Sequence, residues 1–307
     1  MKPMRSCAPT ESYPVQFPCY GSYKIDGIRI VKHEGKALTK SLKPVPNKTI
    51  ARWVEHNLPD GVDGEIISGP PNQADVYTKT FTAAMTIEGA YEFSIYLFDL
   101  HNMPKAYATE RYNALKSLVS NLSDSVKAVA KVVDKRVLNT QAEFDAMYNE
   151  ALALGYEGLV TQSLDGLYKH GKCTPKENIQ LKHKPEEDAD FRLVGIYEAM
   201  HNGNDAFTNE VGETSRSTHQ EGLTGLGMVG GFEAVDVETG IPFKVAPGKL
   251  SHADRIAIWQ DWLKEPGKWV GKLGKYRCMG YGTMTNGRPR HGRFYAWRHE
   301  SDLSLPD

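Results

Sequence analysis

The sequence predicts an α+β fold with mainly antiparallel sheets. Short apolar runs with strand-like alternation dominate the first third of the chain, and helical patterns fall between them without the regular alternation of a parallel α/β fold. A polar, acidic stretch at residues 185–190 separates this part from a second part that is rich in glycine and short strands. A chain of 307 residues with 40% apolar residues can build two packed cores. We therefore expect one domain over residues 1–188 and another over residues 189–307.

Strands of the first domain are predicted where apolar runs rich in β-branched and aromatic residues stand between turn signals. Such runs cover residues 19–31, 62–67, 93–100, 158–162 and 179–184. Within the first run, Asp26-Gly27 lies between Ile25 and Ile28, which is a strong hairpin signal. We therefore expect a strand, a tight turn and a second strand at this point.

Helices of the first domain are predicted from capping residues and helical spacing. Asn47 can cap a helix that runs to residue 57, and residues 107–122 carry apolar side chains at helical spacing. Thr140 and Glu143 form a capping-box pattern, which opens a helix that ends at Gly155.

The second domain is predicted to be a small β-fold with one helix. Strand-like runs cover residues 191–199, 228–237 and 241–245, and a helix begins at Ser251 or His252 and ends near residue 263. Between the first two strands, residues 201–222 are almost entirely polar, so we expect a mobile loop that leaves the β-fold. This pattern fits a small β-barrel of the oligonucleotide-binding (OB) type, although composition alone does not distinguish it from other small β-folds.

Several function classes are disfavoured by the sequence. No run of about 18 apolar residues is present, so we expect no membrane span, and the N-terminus lacks the apolar stretch of a secretory signal. The four cysteines are scattered and form no metal or redox motif, which favours a reducing cytoplasm. Gly225, Gly227 and Gly230 match a dinucleotide fingerprint, but the residues after them alternate like a strand, and no P-loop motif occurs.

Positive charge is concentrated in two segments, although the net charge is only −1. Residues 268–298 hold eight Lys or Arg residues and no Asp or Glu, interspersed with aromatic residues. Residues 169–184 hold five lysines and one glutamate. Such sorting creates local positive surface for phosphates, or else a solvated basic face.

The segment 23–29, Tyr-Lys-Ile-Asp-Gly-Ile-Arg, is the most informative part of the chain. It places an amine, a carboxylate and a guanidinium around a turn, which suits a lysine that attacks a nucleotide phosphorus. A free lysine has a pKa of about 10.4, so burial and nearby cations must lower the pKa of Lys24. Lys182 and Lys184 can supply those cations, because side chains two apart in a strand share a face. Alternatively, Lys182 and Lys184 form an exposed basic face of the strand.

Attack on a phosphate also requires charge neutralisation, for which a divalent metal is expected. Hard carboxylate oxygens suit Mg²⁺ (or Mn²⁺), which usually keeps several waters and takes one or two protein carboxylates. Glu65 and Glu157 are the candidate ligands, because each stands beside a glycine where backbone can approach a nucleotide. Alternatively, Glu65 and Glu157 are only turn residues next to their glycines.

Further motifs follow Lys24 in order. They are Thr-Lys-Ser-Leu-Lys-Pro at 39–44, Val-Asp-Gly-Glu-Ile-Ile at 62–67, Ile-Tyr-Leu-Phe-Asp-Leu at 95–100, Glu-Gly-Leu-Val at 157–160 and Leu-Lys-His-Lys at 181–184. This series resembles the nucleotidyltransferase motifs of ATP-dependent DNA ligases over most of residues 20–188. The stretch Arg-His-Gly-Arg-Phe-Tyr-Ala-Trp-Arg at 290–298 looks like the closing motif of the small phage-type members.

The resemblance implies an N-terminal nucleotidyltransferase (adenylation) domain, a C-terminal OB-fold and a sealing reaction that uses ATP. Lys24 would carry AMP, and the AMP would pass to the 5′-phosphate of a nick before the 3′-hydroxyl displaces it. Catalytic roles fall to Lys24, Asp26, Lys182 and Lys184. ATP contacts fall to Tyr23, Lys24, Arg29, Glu65, Phe98, Lys182, Lys184, Arg293 and Arg298, with Phe98 stacking on adenine. DNA contacts fall to Arg29, Lys40, Lys43, Lys169 and Lys172.

The chain departs from the family pattern at three points. Lys40 and Lys172 stand where relatives commonly carry arginine, so bidentate phosphate contacts are not expected there. Gly292 replaces a frequent proline in the closing motif. Only 23 residues precede Lys24, so no separate N-terminal DNA-binding domain is expected.

Three readings of function are therefore compared. A DNA ligase would act as a monomer on nicked duplex DNA, in DNA repair or replication, in the cytoplasm (of the host cell, if the gene is from a phage). An RNA ligase or an RNA-capping nucleotidyltransferase shares the superfamily motifs, but the C-terminal part disfavours both. A noncatalytic OB-type module that only binds nucleic acid would leave Lys24, Glu65 and Glu157 without a reason to coexist.

Overall fold

The structure is a computed structural model that describes residues 1–208, 214–217, 219–279 and 288–299. The chain forms two compact units, of which the first comprises Met1–Lys184 and, among the described residues beyond it, Thr208. The second comprises Pro185–Phe207 and the described residues from Thr214 onward. The division follows Lys184, four residues before the expected boundary. The fold class is α+β, as predicted, and no helix among the described residues is long and apolar enough to cross a membrane.

Two sheets form the first unit. One has four antiparallel strands in the order β7 (Arg136–Leu138), β1 (Cys19–Tyr23), β8 (Leu159–Ser163) and β9 (Gln180–His183). The other has five strands in the order β3 (Lys36–Leu38), β2 (Ile28–His33), β4 (Val62–Ile67), β5 (Ser94–Leu100) and β6 (Ala130–Val132). The β5–β6 pair is parallel, and the others are antiparallel.

The hairpin predicted at Asp26-Gly27 is wrong, because β1 and β2 belong to different sheets. Residues 24–27 instead carry the chain from one sheet to the other. Gly27 is needed for close approach, since a Cβ atom there would lie 2.3 Å from the backbone oxygen of Ile66. A glycine selected for close packing and one selected for a tight turn look the same in sequence.

Helices cover the sheets of the first unit. They are α1 (Lys48–Asn57), α2 (Val76–Met85), α3 (Ala108–Ser120), α4 (Asp124–Val129) and α5 (Gln141–Ala153), with a 3₁₀ turn at Pro175–Glu177. The predicted Asn47 cap is present, since its side chain accepts a hydrogen bond from the Ile50 amide at 2.9 Å. Only half of the predicted capping box forms, because Thr140 accepts from the Glu143 amide, whereas Glu143 accepts from the Asn139 amide. Helices α2 and α4 were not predicted.

The cores of the first unit explain why these elements form. The main core lies between the five-stranded sheet and its helices, with Ile30, Ile66 and Leu97 meeting Ile50 and Leu115. Each of these side chains is essentially inaccessible to solvent. A second core packs α5 on the four-stranded sheet through Phe144, Met147, Leu138 and Leu159.

The second unit is a five-stranded antiparallel sheet with one helix. Its strands are β14 (Pro242–Val245), β13 (Leu223–Asp236), β10 (Glu187–Asn202), β15 (Leu273–Cys278) and β16 (Arg293–Trp297), in that order. Its helix is α6 (His252–Lys264), capped by Ser251 as predicted, and 3₁₀ turns lie at Gln220–Gly222 and Pro266–Lys268. The outer strands meet where Ala246 forms a parallel bridge with Arg293, so the sheet curls into a partly open, OB-like barrel.

The segment expected to be a loop contains regular structure. Strands β10 and β13 extend toward it, and β11 (Ala206–Thr208) pairs with β12 (Thr214–Arg216) in a short ribbon. The amide of Gly203 donates to the oxygen of Gly222 at 2.8 Å, which closes the base of this ribbon. Backbone pairing needs no apolar side chains, which is why composition missed it. Residues 209–213 and 218 lie outside the described part of the chain. The dinucleotide-like glycines lie in β13, as predicted.

Candidate active site

Lys24 lies at the end of β1, where its backbone is tied to the segment that precedes β8. The Lys24 amide donates to the oxygen of Gly158 at 2.8 Å, and the Glu157 amide donates to the oxygen of Lys24 at 3.2 Å. Gly158 has φ of 139°, and a Cβ atom there would lie 2.0 Å from the oxygen of His183. The motif glycine at 158 thus permits three segments to meet at Lys24.

Glu157 bridges two lysines. Its Oε2 accepts from Nζ of Lys24, and its Oε1 accepts from Nζ of Lys184. All three side chains are at most about one-fifth exposed, with values of 21% for Lys24, 14% for Glu157 and 18% for Lys184. This arrangement fixes the Lys24 amine within a partly desolvated cluster of charges.

The electrostatic environment lowers the pKa of Lys24. Burial is the largest cause, and the Arg29 charge acts in the same direction, whereas Glu65 and Asp26 oppose it. Burial also raises the pKa of Glu65 to about 7, against the effect of Lys24 and Arg29. The site therefore holds an amine that loses its proton more readily and a carboxyl that gains one more readily than usual.

Lys182 lies within a wider cationic group. Burial is the largest cause of the lowered pKa of Lys182, followed by the charges of Lys24, Lys172 and Lys40. His183, between the two candidate lysines, faces another environment, because its ring packs on Phe144 and its Nε2 lies 2.9 Å from Thr161 Oγ1. Lys182 thus lies near the candidate nucleophile, and Lys172 and Lys40 lie near Lys182.

Arg29 is held by a buried carboxylate. Its Nε and Nη2 atoms each donate to Asp63 at 2.5 Å, and Nη2 also donates to the oxygen of Met4 at 3.0 Å. Tyr168 donates its hydroxyl to the same carboxylate. The guanidinium lies over one face of the Phe98 ring, with Cζ 4.6 Å from the ring centroid. Asp63 and Tyr168 were not predicted as partners of Arg29.

A cavity of about 110 Å³ lies between the two sheets of the first unit. Five of the predicted site residues line it, namely Tyr23, Lys24, Arg29, Glu65 and Phe98. Further lining residues were not predicted: Ser6, Tyr20, Ser22, Ile25, Val133, Lys135, Val160, Gln162 and Gln180. The cavity therefore joins the candidate nucleophile to an aromatic and apolar interior.

Two of the unpredicted residues, Lys135 and Gln162, form a hydrogen-bonded pair. Lys135 Nζ donates to Gln162 Oε1 at 2.7 Å, and burial lowers the pKa of Lys135 to about 8. The sequence offers only weak signals for them, namely a glutamine within an apolar strand and a lysine that follows Val132-Val133-Asp134. Their proximity depends on two segments from different parts of the chain, which spacing does not reveal.

The amino-acid sequence matches a known family. The family described as ATP dependent DNA ligase domain matches residues 14–182. This chain belongs to the ATP-dependent DNA ligase family. The matched region contains Lys24 and every candidate site residue of the first unit except Lys184.

Individual relatives of this ligase-family chain agree with that assignment. A DNA ligase of Thermococcus fumicolans is 28% identical over 147 residues, which are 44% of this chain and only a quarter (25%) of that protein. The crystal structure of the Chlorella virus DNA ligase–adenylate is 25% identical with a TM-score of 0.55, over 97% of this chain and 99% of that one. A structure from a study of Lig E DNA ligases shares the fold with a TM-score of 0.69 at 19% identity, over 97% of this chain and 100% of that one.

The remaining site residues predicted for this ligase-family chain lie elsewhere or have other partners. Lys169 forms an ion pair with Glu177. Lys40 is exposed and Lys43 half-buried in the turn after β3. In the second unit, Arg293 is exposed on β16, and Arg298 donates to Asp190 at 3.1 Å.

The ligase-family site offers few side chains that could hold a metal ion. Among the described residues, no group of three or more His, Cys, Asp or Glu side chains is placed to hold an ion. A metal that binds mainly substrate phosphates needs only one or two protein carboxylates, however. Glu65 fits that requirement, because burial disfavours its charge and a cation would stabilise it. Glu157 fits only if its lysines move away from it.

Proposed function

We propose that this protein seals single-strand nicks in duplex DNA with ATP, through AMP held covalently on Lys24. The observation that carries the proposal is the position of Lys24. Its side chain lines the cavity between the two sheets, and the pKa of its amine is lowered. The amine contacts Glu157, which Lys184 also contacts. A nucleophilic amine next to fixed cations and carboxylates is the arrangement that nucleotidyl transfer requires.

In the first step, the neutral Lys24 amine attacks the α-phosphorus of ATP. An N–P bond forms, the bond from that phosphorus to the bridging oxygen breaks, and pyrophosphate leaves with the electron pair. The nitrogen gives up one proton, and Glu157 Oε2 is the acceptor in contact with it. Lys182 and Lys184 offset the negative charge on the phosphate oxygens.

In the second step, an oxygen of the 5′-phosphate at the nick attacks the phosphorus of the bound AMP. The N–P bond breaks and the Lys24 nitrogen takes back a proton. In the third step, the 3′-hydroxyl attacks the 5′-phosphorus, loses its proton and displaces AMP. Arg29, whose Nη1 has no hydrogen-bond partner among the described residues, is a candidate for the nick phosphate.

A divalent cation, Mg²⁺ or Mn²⁺, would be held by Glu65 together with the ATP phosphates, and also by Glu157 where its lysines have moved away from it. The cation would neutralise negative charge on the phosphates. Phe98 supplies a half-buried ring on which the adenine can stack. Arg293 and Arg298 would orient the pyrophosphate during the first step. Lys40, Lys43, Lys169 and Lys172 would contact the DNA backbone, and a monomeric state and a cytoplasmic location belong to the same proposal.

A two-stage assay tests the proposed function. The protein is first incubated with ATP or GTP labelled at the α-phosphate, and a covalent adduct is sought. The adduct is then offered nicked duplex DNA or nicked duplex RNA. We expect an adduct with ATP rather than GTP, and sealing of the DNA nick. Lys36→Ala, on the exposed end of β3, serves as a surface control that should behave like the parent.

Each other result assigns the chain differently. An adduct with GTP alone would indicate an RNA-capping type of transferase, and sealing of RNA alone would indicate an RNA ligase. Nucleic-acid binding without any adduct would contradict the enzymatic proposal.

A further inference from the structure

The inner end of the cavity holds a lysine that the proposed sealing reaction does not use. Lys135 lies in the crossover of residues 133–135, which leads from β6 in one sheet to β7 in the other. Its amide donates to the Tyr112 hydroxyl at 3.1 Å, and that hydroxyl donates to the oxygen of Val133 at 3.1 Å. The crossover is therefore fixed by a buried tyrosine, and Lys135 is positioned from its backbone.

The amine of Lys135 is held in place by specific partners. Its Nζ donates to Gln162 Oε1 at 2.7 Å and lies 5.0 Å and 5.7 Å from the ring centroids of Tyr112 and Tyr20. Gln162 is itself oriented, because its Nε2 donates to Asp99 Oδ2 at 2.9 Å. An ammonium or amine has at least two N–H bonds. Gln162 takes one of them, and another is available to a ligand.

Asp99 anchors this network in the core. Arg111 donates to both of its oxygens, at 2.6 Å and 3.1 Å, and also donates to the oxygens of Ala106 and Gly166. Burial alone would raise the pKa of Asp99, but the Arg111 hydrogen bond and the Lys135 charge lower it. The carboxylate therefore stays charged, and Gln162 is held with its oxygen toward Lys135.

The direction of the cavity identifies which part of a nucleotide would meet Lys135. Tyr20, Ser22 and Lys24 all line it, and Tyr20 pairs with Gln162 across β1 and β8. Strand geometry separates Tyr20 from Lys24 by about 13 Å along β1. If Lys24 attacks the α-phosphorus, the nucleoside extends inward from it and its base reaches the end formed by Tyr20, Gln162 and Lys135.

The wall at that end suits a planar base. Val133, Val160 and the Tyr20 ring give apolar and aromatic surface, and Lys135 gives a donor among them. Purine ring nitrogens are acceptors in the plane of the ring, and an isolated donor in an apolar wall discriminates well between a base with an acceptor and one without. Lys135 donates to the Gln162 amide and lies beside two rings, and it forms no ion pair among the described residues. Asp99 is linked to it through Gln162 and acts on its charge from farther away.

We propose that Lys135, oriented by Gln162, binds the nucleobase of the ATP by donating a hydrogen bond to a ring nitrogen of the adenine. The inference rests on the proposed function, which places the α-phosphate at Lys24. Lys135 is a binding and specificity residue in this assignment, and it takes no part in bond making.

Equilibrium binding in a Lys24→Ala background tests the proposal, because no adduct forms there to obscure affinity. ATP is compared with 1-deaza-ATP, 3-deaza-ATP and 7-deaza-ATP, each of which lacks one ring nitrogen. We expect one of these analogues to bind about tenfold more weakly than ATP, as for a lost hydrogen bond from a charged donor. Adding Lys135→Met should weaken the binding of ATP by a similar factor. It should also abolish the difference in affinity between ATP and that analogue.

Matched controls separate this effect from a general loss of structure. Lys131→Met changes an exposed lysine on β6 that lies over the Tyr96 ring, and it should keep the parent pattern. The ratio of the affinities for 2′-deoxy-ATP and ATP should be the same with and without the Lys135→Met change, since the ribose is not the target of this lysine. The proposal is overturned if Lys135→Met retains the analogue discrimination, or if no deaza analogue binds more weakly than ATP to the parent. Absence of a Lys24 adduct in the unmutated protein would instead contradict the proposed function.

Discussion

Lys24 and Glu157 are joined through both backbone and side chain. The Glu157 amide donates to the oxygen of Lys24 at 3.2 Å, and the Lys24 amine contacts Glu157 Oε2. The two residues come from motifs more than a hundred positions apart in the sequence. A nucleophile and the carboxylate next to it are therefore held by the same strand pairing, and this relationship underlies the chemistry proposed for the site.

The pH dependence of adenylylation should reveal the lowered pKa of Lys24. The neutral amine attacks, so the single-turnover rate should rise with pH and level off below the ordinary lysine value of about 10.4. Glu65 favours the charged amine. Glu65→Gln should therefore shift the rise to lower pH, while lowering the maximum rate. Glu88→Gln, at an exposed ion pair, is the control. A rise at the same or higher pH in Glu65→Gln would contradict this account.

The two lysines at the end of β9 should be needed for adenylylation. Lys182→Ala and Lys184→Ala each remove a cation near the transferred phosphate, and we expect each to slow the step by about a hundredfold or more. Single-turnover rates and thermal unfolding are measured together, since the loss in rate should exceed any loss in stability. Lys176→Ala, in the exposed 3₁₀ turn, should retain the parent rate. Normal rates in both variants would indicate that these lysines belong to a solvated face and take no part in adenylylation.

Asp63 should stabilise the first unit through Arg29. The carboxylate is fully buried and the Arg29 side chain is 17% exposed, so Asp63→Asn leaves a buried guanidinium without its counter-charge. Breaking such a pair costs about 3–5 kcal/mol of unfolding free energy. Chemical denaturation compares it with Asp134→Asn, an exposed change that should have little effect. An unchanged unfolding free energy in Asp63→Asn would show that the pair contributes little.

The ribbon of the second unit should affect DNA binding rather than adenylylation. Gly203 and Gly222 are hydrogen-bonded, so residues 204–221 can be replaced by a short turn without separating β10 from β13. We expect normal adduct formation and weaker binding to nicked DNA, with a larger deficit at lower salt, where phosphate contacts contribute most. Nick affinity that stays unchanged at every salt concentration would assign the ribbon no role in binding.

The sequence predicted most elements because local signals determined them. The Asn47 and Ser251 caps, the strand Val62–Ile67 and the α+β class followed from capping chemistry and alternation. The hairpin at Asp26-Gly27 failed because pairing partners are chosen by the whole sheet, not by the two turn residues. The ribbon β11–β12 was missed because its stability comes from backbone hydrogen bonds.

The candidate site was only partly predictable for a similar reason. The order of the motifs predicted four site residues that all lie in the same unit, namely Lys24, Glu65, Phe98 and Glu157. Lys135 and Gln162 belong to the same cavity but carry no motif, because their role depends on a crossover and a strand that meet only in the folded chain. Tertiary hydrogen bonds, such as Gln162 to Asp99, have no signature in local sequence.

The site of AMP attachment is the most direct test of the central claim. The protein is incubated with ATP and a divalent cation, digested, and analysed by mass spectrometry to locate the modified residue. We expect AMP on Lys24 in the parent and none in Lys24→Ala, while Lys24→Ala still seals part of a chemically pre-adenylylated nick. AMP on another residue, or an ATP-derived acid-labile adduct in Lys24→Ala, would contradict the assignment of Lys24 as the nucleophile.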